Sequence, residues 1–124
     1  MQATMLRAKL HQARVTHADL DYVGSITIDT QLLDQVGMFP YEQVLIANID
    51  NGERFETYIL PGEAGSRIMQ VNGAAARLVN IGDRLIIMAF SQVNYPPPSH
   101  WSPQVLVLDE HNNVKSVELR GRYE

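Results

Sequence analysis

The tripeptide Asp50-Asn51-Gly52 separates two apolar runs, Val44-Leu-Ile-Ala-Asn-Ile49 and Arg54-Phe-Glu-Thr-Tyr-Ile-Leu60. Their β-branched and aromatic residues suit a pleated, half-buried surface. A turn of this composition between such runs is a strong hairpin signal, because Asn and Gly tolerate the positive φ that a tight reversal needs. Period two in the second run puts Arg54, Glu56 and Tyr58 on one face and Phe55, Thr57 and Ile59 on the other. Thr57 and Tyr58 can therefore serve one site only at a strand edge or a twist. Pro61-Gly62 is expected to close this unit.

The rest of the chain follows the same short rhythm, with apolar runs broken by Gly, Pro, Asn and Asp. Thr4 to Val15 reads as a strand interrupted at His11 and Gln12, and Ser25-Ile-Thr-Ile-Asp29 alternates at period two. Asp29 or Thr30 can cap a short helix through Leu32, Leu33 and Val36, stopped by Gly37. Val71 to Ala76 reads as a turn opening a short helix, and Leu85 to Val93 as a strand buried on both faces. The prolines of Tyr95 to Trp101 impose an irregular arm. Val105 to Leu108 and Val114 to Leu119 form a second expected hairpin, and Arg120 to Glu124 a frayed tail. Many short strands with one or two brief helices predict a mainly β fold, a small closed barrel in one domain spanning 1–124.

Several function classes drop out. A net charge of -4 with scattered Lys and Arg gives no footprint for a nucleic-acid backbone. The sequence has no cysteine, which excludes thiol chemistry and fits a cytoplasmic setting. His11 and His17 lack partners at metal-ligand spacing, so no metal is expected. No run approaches the roughly 20 apolar residues of a membrane span, so a soluble protein with no membrane partner is expected. One small domain leaves little room for a deep cleft, so an active site is expected to borrow a wall from a neighbouring subunit.

Chemistry concentrates around Gly24-Ser25. A serine hydroxyl that reaches the preceding carbonyl can drive an N-to-O acyl shift, and a glycine there removes steric obstruction and accepts strained backbone angles. β-Elimination and hydrolysis then convert the serine into a pyruvoyl group. By itself such a pair is an ordinary turn before a strand. Thr57 can polarise the Gly24 carbonyl or simply pack in its strand. Tyr58 can donate a proton or sit at a rim, and Asn72 can orient a carboxylate or form a turn. Lys9 and Arg54 suit a carboxylate but are equally solvated surface charges. Gly73, Ala74 and Ala75 permit a backbone N–H cradle. No Gly-x-Ser-x-Gly elbow, phosphate loop or dinucleotide fingerprint is present.

Blocks along nearly the whole chain resemble the bacterial aspartate 1-decarboxylases. They include Thr4-Met5-Leu6 with Lys9-Leu10-His11, Val15-Thr-His-Ala-Asp-Leu20, Tyr22-x-Gly24-Ser25, Asn51-Gly52-x-Arg54-Phe55-x-Thr57-Tyr58, Gly65-Ser-Arg-Ile68, Val71-Asn-Gly-Ala-Ala75 and Gly82-Asp83. The resemblance implies a double-psi β-barrel assembled as a homotetramer with inter-subunit active sites. It implies self-cleavage between Gly24 and Ser25, giving a β chain 1–24 and an α chain 25–124 whose Ser25 becomes the pyruvoyl cofactor. It further implies that Thr57 is needed for maturation and that Tyr58 is the proton donor. Lys9, Arg54, Thr57, Asn72, Gly73, Ala74 and Ala75 are then the residues that bind L-aspartate. The implied activity is α-decarboxylation through a Schiff base to β-alanine, for pantothenate and coenzyme A synthesis, with a maturation factor as a further partner. After Val93 the chain departs from this pattern, with Tyr95-Pro-Pro-Pro-Ser-His100 in place of a more acidic segment. The rival readings are a non-catalytic barrel that binds or regulates, and a hydrolase using Ser25, both of which leave the backbone uncut.

Overall fold

Alternation of apolar and polar side chains sets the architecture. A computed structural model describes residues 1–118 and contains nine strands: β1 (Gln2–Arg14), β2 (His17–Asp19), β3 (Ser25–Asp29), β4 (Gln43–Asn48), β5 (Arg54–Gly62), β6 (Met69–Asn72), β7 (Arg84–Asn94), β8 (Gln104–Leu108) and β9 (Val114–Glu118). One helix, α1 (Thr30–Val36), and a 3₁₀ turn at Gly73–Leu78 complete it. The expected mainly β chain with short helices is what forms. Leu119 and the tail from Arg120 to Glu124 lie outside the described residues.

The hydrogen-bonded order is β2-β6-β3-β5-β4-β7-β1-β8-β9. Three pairs are parallel, β1 with β8, β2 with β6 and β3 with β5, and the remainder are antiparallel. Strands from near both ends of the order feed one buried cluster, in which Met69 and Val71 of β6 join Leu106 and Leu108 of β8. Ile26, Ile28, Ile46, Ile59, Leu85 and Ile87 are wholly buried there. Truncating any of them to Ala costs about 2–5 kcal/mol.

Three local expectations need correction. β7 is not buried on both faces, because Leu85, Ile87 and Ala89 face the core while Ile86 and Met88 are half-buried and Phe90 is exposed. Pro61-Gly62 does not end its strand but extends β5 in parallel pairing with Ile28 and Asp29 of β3. A Cβ on Gly62 would lie 2.4 Å from Ile68 Cγ2 and 3.1 Å from the Ile28 carbonyl, so only glycine allows this contact. Val71 and Asn72 are strand rather than turn. The polar interruption in β1 is real: the register slips between His11 and Ala13, and Gln12 adopts φ 64°, as a bulge requires.

The far end of β3 is held by a buried carboxylate. Asp29 caps α1 by accepting from Gln31 N at 2.8 Å, and also accepts from Gly65 N at 3.0 Å and Arg67 N at 2.7 Å. Arg67 Nη1 adds an ion pair at 3.3 Å. Burial pushes this carboxyl upward, but the backbone donors of Arg67, Gln31 and Gly65 and the Arg67 charge outweigh it and hold Asp29 below the usual carboxylate range. Buried Asn112, at φ 60°, ties the β8–β9 turn to the same corner through Arg14 N, Arg14 O and Arg67 O.

Candidate active site

The near end of β3 carries a polar face. In register across β2, β6 and β3, Asp19 lies opposite Asn72, which lies opposite Ser25; one step along, His17 lies opposite Gln70, which lies opposite Thr27. Because side chains alternate, these six polar residues share one side of the sheet while Ala18, Val71 and Ile26 take the other. Burial falls from Ser25 and Asn72, both 0% exposed, through half-buried Gln70 and Thr27 to exposed His17 and Asp19.

The Ser25 hydroxyl donates to Val23 O at 2.9 Å and accepts from Asn72 Nδ2 at 2.9 Å. Asn72 Nδ2 also donates to Thr27 Oγ1 at 3.1 Å, and Asn72 Oδ1 accepts from Gln70 Nε2 at 2.7 Å. Every one of these side chains is neutral, so the serine is positioned by direction rather than by charge.

Gly24 is exposed, it does not adopt positive φ, and a Cβ on it would meet nothing within 4 Å, so glycine is not demanded there by strain. The demanding position is Gly73, at φ 75°, where a Cβ would lie 2.6 Å from Gly24 Cα and 2.9 Å from Gly24 N. Gly73 thus brings the 3₁₀ turn against the backbone just before Ser25. Ala74 beside it is exposed and Ala75 half-buried.

Thr57 and Tyr58 are half-buried in β5. The parallel ladder with β3 starts at Ile26 opposite Ile59; continued backward, its register sets Tyr58 level with Ser25 and Thr57 level with Gly24. Among the described residues no hydrogen bond joins Thr57 to Gly24. Among the described residues no hydrogen bond joins Lys9 or Arg54 to Ser25, whose side-chain partners are Val23 O and Asn72. Arg54 is exposed at the start of β5, and Lys9 is half-buried on β1, four strands from β3 in the hydrogen-bonded order. Lys9 lies between buried Ala8 and Leu10 and so faces away from the core, on the side where Met88 and Leu45 are half-buried. A cleft of about 390 Å³ on this side is lined by Thr4, Glu42, Gln43, Leu45, Glu56 and Phe90, among others, and includes none of the expected site residues.

Thr27 and Gln70 went unread in the sequence. Their signal was present in Ser25-x-Thr27 and Gln70-x-Asn72, polar residues at period two around apolar Ile26 and Val71. Among the described residues no three His, Asp or Glu side chains gather as a metal site, and no helix is long and apolar enough to cross a membrane.

Comparison with known proteins bears on this arrangement. A family model described as aspartate decarboxylase matches residues 1–115. The chain is 55% identical to an aspartate 1-decarboxylase of Alcanivorax borkumensis over 94% of its own length and 93% of the relative's. It is 52% identical to the enzyme of that name from Chlorobium chlorochromatii, over 98% and 94% of the two chains. A third relative of that name, from Carboxydothermus hydrogenoformans, is 48% identical over the full length of both.

Proposed function

This chain belongs to the aspartate decarboxylase family, and on that premise we propose that it removes the α-carboxylate of L-aspartate to give β-alanine and CO₂, supplying pantothenate synthesis in the cytoplasm. We propose further that a pyruvoyl group made from Ser25 is its cofactor. The single observation that carries the second part is the buried Ser25 hydroxyl, directed by Val23 O and Asn72 Nδ2 at the strand mouth next to an exposed Gly24.

Maturation begins when Ser25 Oγ bonds to the Gly24 carbonyl carbon, the Gly24–Ser25 C–N bond breaks and the hydroxyl proton passes to the freed amine. Loss of the Ser25 α-proton then expels the Gly24 carboxylate, and water releases the nitrogen as ammonia. The products are a chain of residues 1–24 and a chain of 25–124. Thr57, level with Gly24, polarises the carbonyl under attack. The residues present fit the new group, since Asn72 Nδ2, which donates to Ser25 Oγ in the uncut chain, would stand beside it as a neutral donor, and Gly73 leaves the adjoining backbone room. That group supplies an electrophilic carbonyl that draws electrons from the bond to the departing carboxylate.

The protein's own side chains do the rest. Arg54, with Lys9, grips the side-chain carboxylate of aspartate and turns the bond to be broken into alignment. Asn72 and the backbone of Gly73, Ala74 and Ala75 bound the substrate, and Tyr58, level with residue 25, returns a proton to the α-carbon. Lys9 lies four strands from β3 in the hydrogen-bonded order and Arg54 is exposed at the start of β5; a homotetramer of double-psi barrels, with sites that combine residues of adjacent subunits, would bring them to a pyruvoyl group at residue 25. A maturation factor would act on this same cleavage loop.

The test is intact-mass analysis under denaturing conditions alongside an assay for β-alanine. Two fragments meeting at the Gly24–Ser25 boundary, the larger with a carbonyl that borohydride reduces, are expected in active material. Activity from a chain that is still whole would overturn the cofactor assignment.

A further inference from the structure

We propose that Gln70 is a positioning residue for self-cleavage: by donating to Asn72 it fixes which end of that amide meets Ser25, and so fixes the serine hydroxyl for attack. This rests on the cleavage reading above. Asn72 is wholly buried, and its carboxamide can stand in either of two orientations that differ only in which atoms face its neighbours. Ser25 and Thr27 cannot choose between them, since a hydroxyl donates as readily as it accepts. Val23 O can only accept the Ser25 hydrogen, and Gln70 Nε2, at 2.7 Å from Asn72 Oδ1, adds the donor that holds the Asn72 oxygen away from Ser25.

The consequence falls on Ser25. With the Asn72 nitrogen toward it, Oγ accepts one hydrogen bond and its only hydrogen goes to Val23 O, which leaves one lone pair uncommitted. That pair is the one that must form the bond to the Gly24 carbonyl carbon as the C–N bond breaks and the proton moves to the Ser25 nitrogen. With the amide reversed, its oxygen competes with Val23 O for the hydrogen and turns the hydroxyl away. Thr27 Oγ1 accepts the second Asn72 N–H and completes the lock.

Gln70→Glu tests this without changing shape, because an ionised carboxylate can only accept and so recruits the Asn72 N–H groups instead. The rate of chain scission is followed by denaturing gel and mass in freshly purified precursor, with melting temperature measured in parallel. Gln70→Glu is expected to slow scission at least about tenfold, the scale of a misdirected reacting group, and Gln70→Leu by less, since it leaves the Asn72 amide unbiased rather than reversed. Gln70→Lys retains a donor of similar reach and is expected to stay within about threefold of the parent. Adding Gln70→Glu to Asn72→Ala should slow that variant no further, because the effect runs through Asn72. Unchanged scission in Gln70→Glu, or an equal further loss in the Asn72→Ala background, overturns the assignment. A parent chain that never cuts defeats the underlying cleavage reading instead, and shows before any variant is compared.

Discussion

The two ends of β3 are held in opposite ways. At Asp29 a buried carboxylate collects three backbone N–H groups and a guanidinium, and the corner it anchors is fixed by charge. At Ser25 the partners are one carbonyl and one amide, all neutral, and the residue before it is solvent-exposed. Five residues thus join a strong anchor to a lightly held hydroxyl. Charge-assisted bonds are about twice as strong as neutral ones, so the end at which the proposed cleavage would act is the weaker one, and the anchor would keep the strand in register.

Separating the two ends by mutation tests this contrast. Ser25→Ala should abolish both scission and decarboxylation, read by intact mass and β-alanine formation, yet shift stability by only about 1 kcal/mol, the lower end of the cost of leaving one buried Asn72 N–H unpaired. Substantial unfolding in that variant would mean the serine end is an anchor too. Tyr58→Phe should leave scission intact and lower turnover about a hundredfold, the scale of a lost general acid; normal turnover removes Tyr58 from the donor role. Asp29→Asn should do the reverse, costing roughly 2 kcal/mol in urea unfolding, as expected for bonds to a charged group, with scission at 25 °C unchanged. Smallest is the pH effect. Asp29 titrates below its unfolded value, so its contribution is whole above about pH 5 and fades as pH falls through about 3.9 and below. The melting temperature of Asp29→Asn should lose this part of the acid sensitivity.

Legibility in the sequence followed the range of the interaction. The limits of β3, the hairpin around Asn51-Gly52, and the Asp29 and Gly37 caps of α1 all rest on neighbours a few residues apart, and each formed as expected. Period two says which face a side chain takes but not which strand lies beside it, so the parallel pairs β1–β8, β2–β6 and β3–β5 were not readable. The Asp29 anchor reaches 36 and 38 residues along the chain to Gly65 and Arg67. The run Ile86 to Phe90 was misread as doubly buried because its outward residues, Met88 and Phe90, are as apolar as its inward ones. Asn72 meets the Ser25 hydroxyl and Gly73 closes on Gly24, and the β3–β5 ladder, continued back from Ile26 and Ile59, would set Thr57 and Tyr58 level with them. Lys9 and Arg54 make no hydrogen bond to this group within the chain, and for these two the resemblance says more than one chain's geometry.

The place of β1 in the sheet has a consequence for what a break after Gly24 would leave behind. β1 is an interior strand, hydrogen-bonded to β7 on one side and β8 on the other, and β2 pairs with β6. All three neighbours belong to the larger piece, and Ala8, Leu10 and Ala13 are sealed in its interior. The short piece would therefore be retained as a tightly bound peptide subunit, invisible to gel filtration and released only by unfolding. Stability after the break would become that of a complex, dependent on concentration. Peptides 1–24 and 25–124 mixed from denaturant would then be candidates for fragment complementation, with the small one supplying the middle of the sheet.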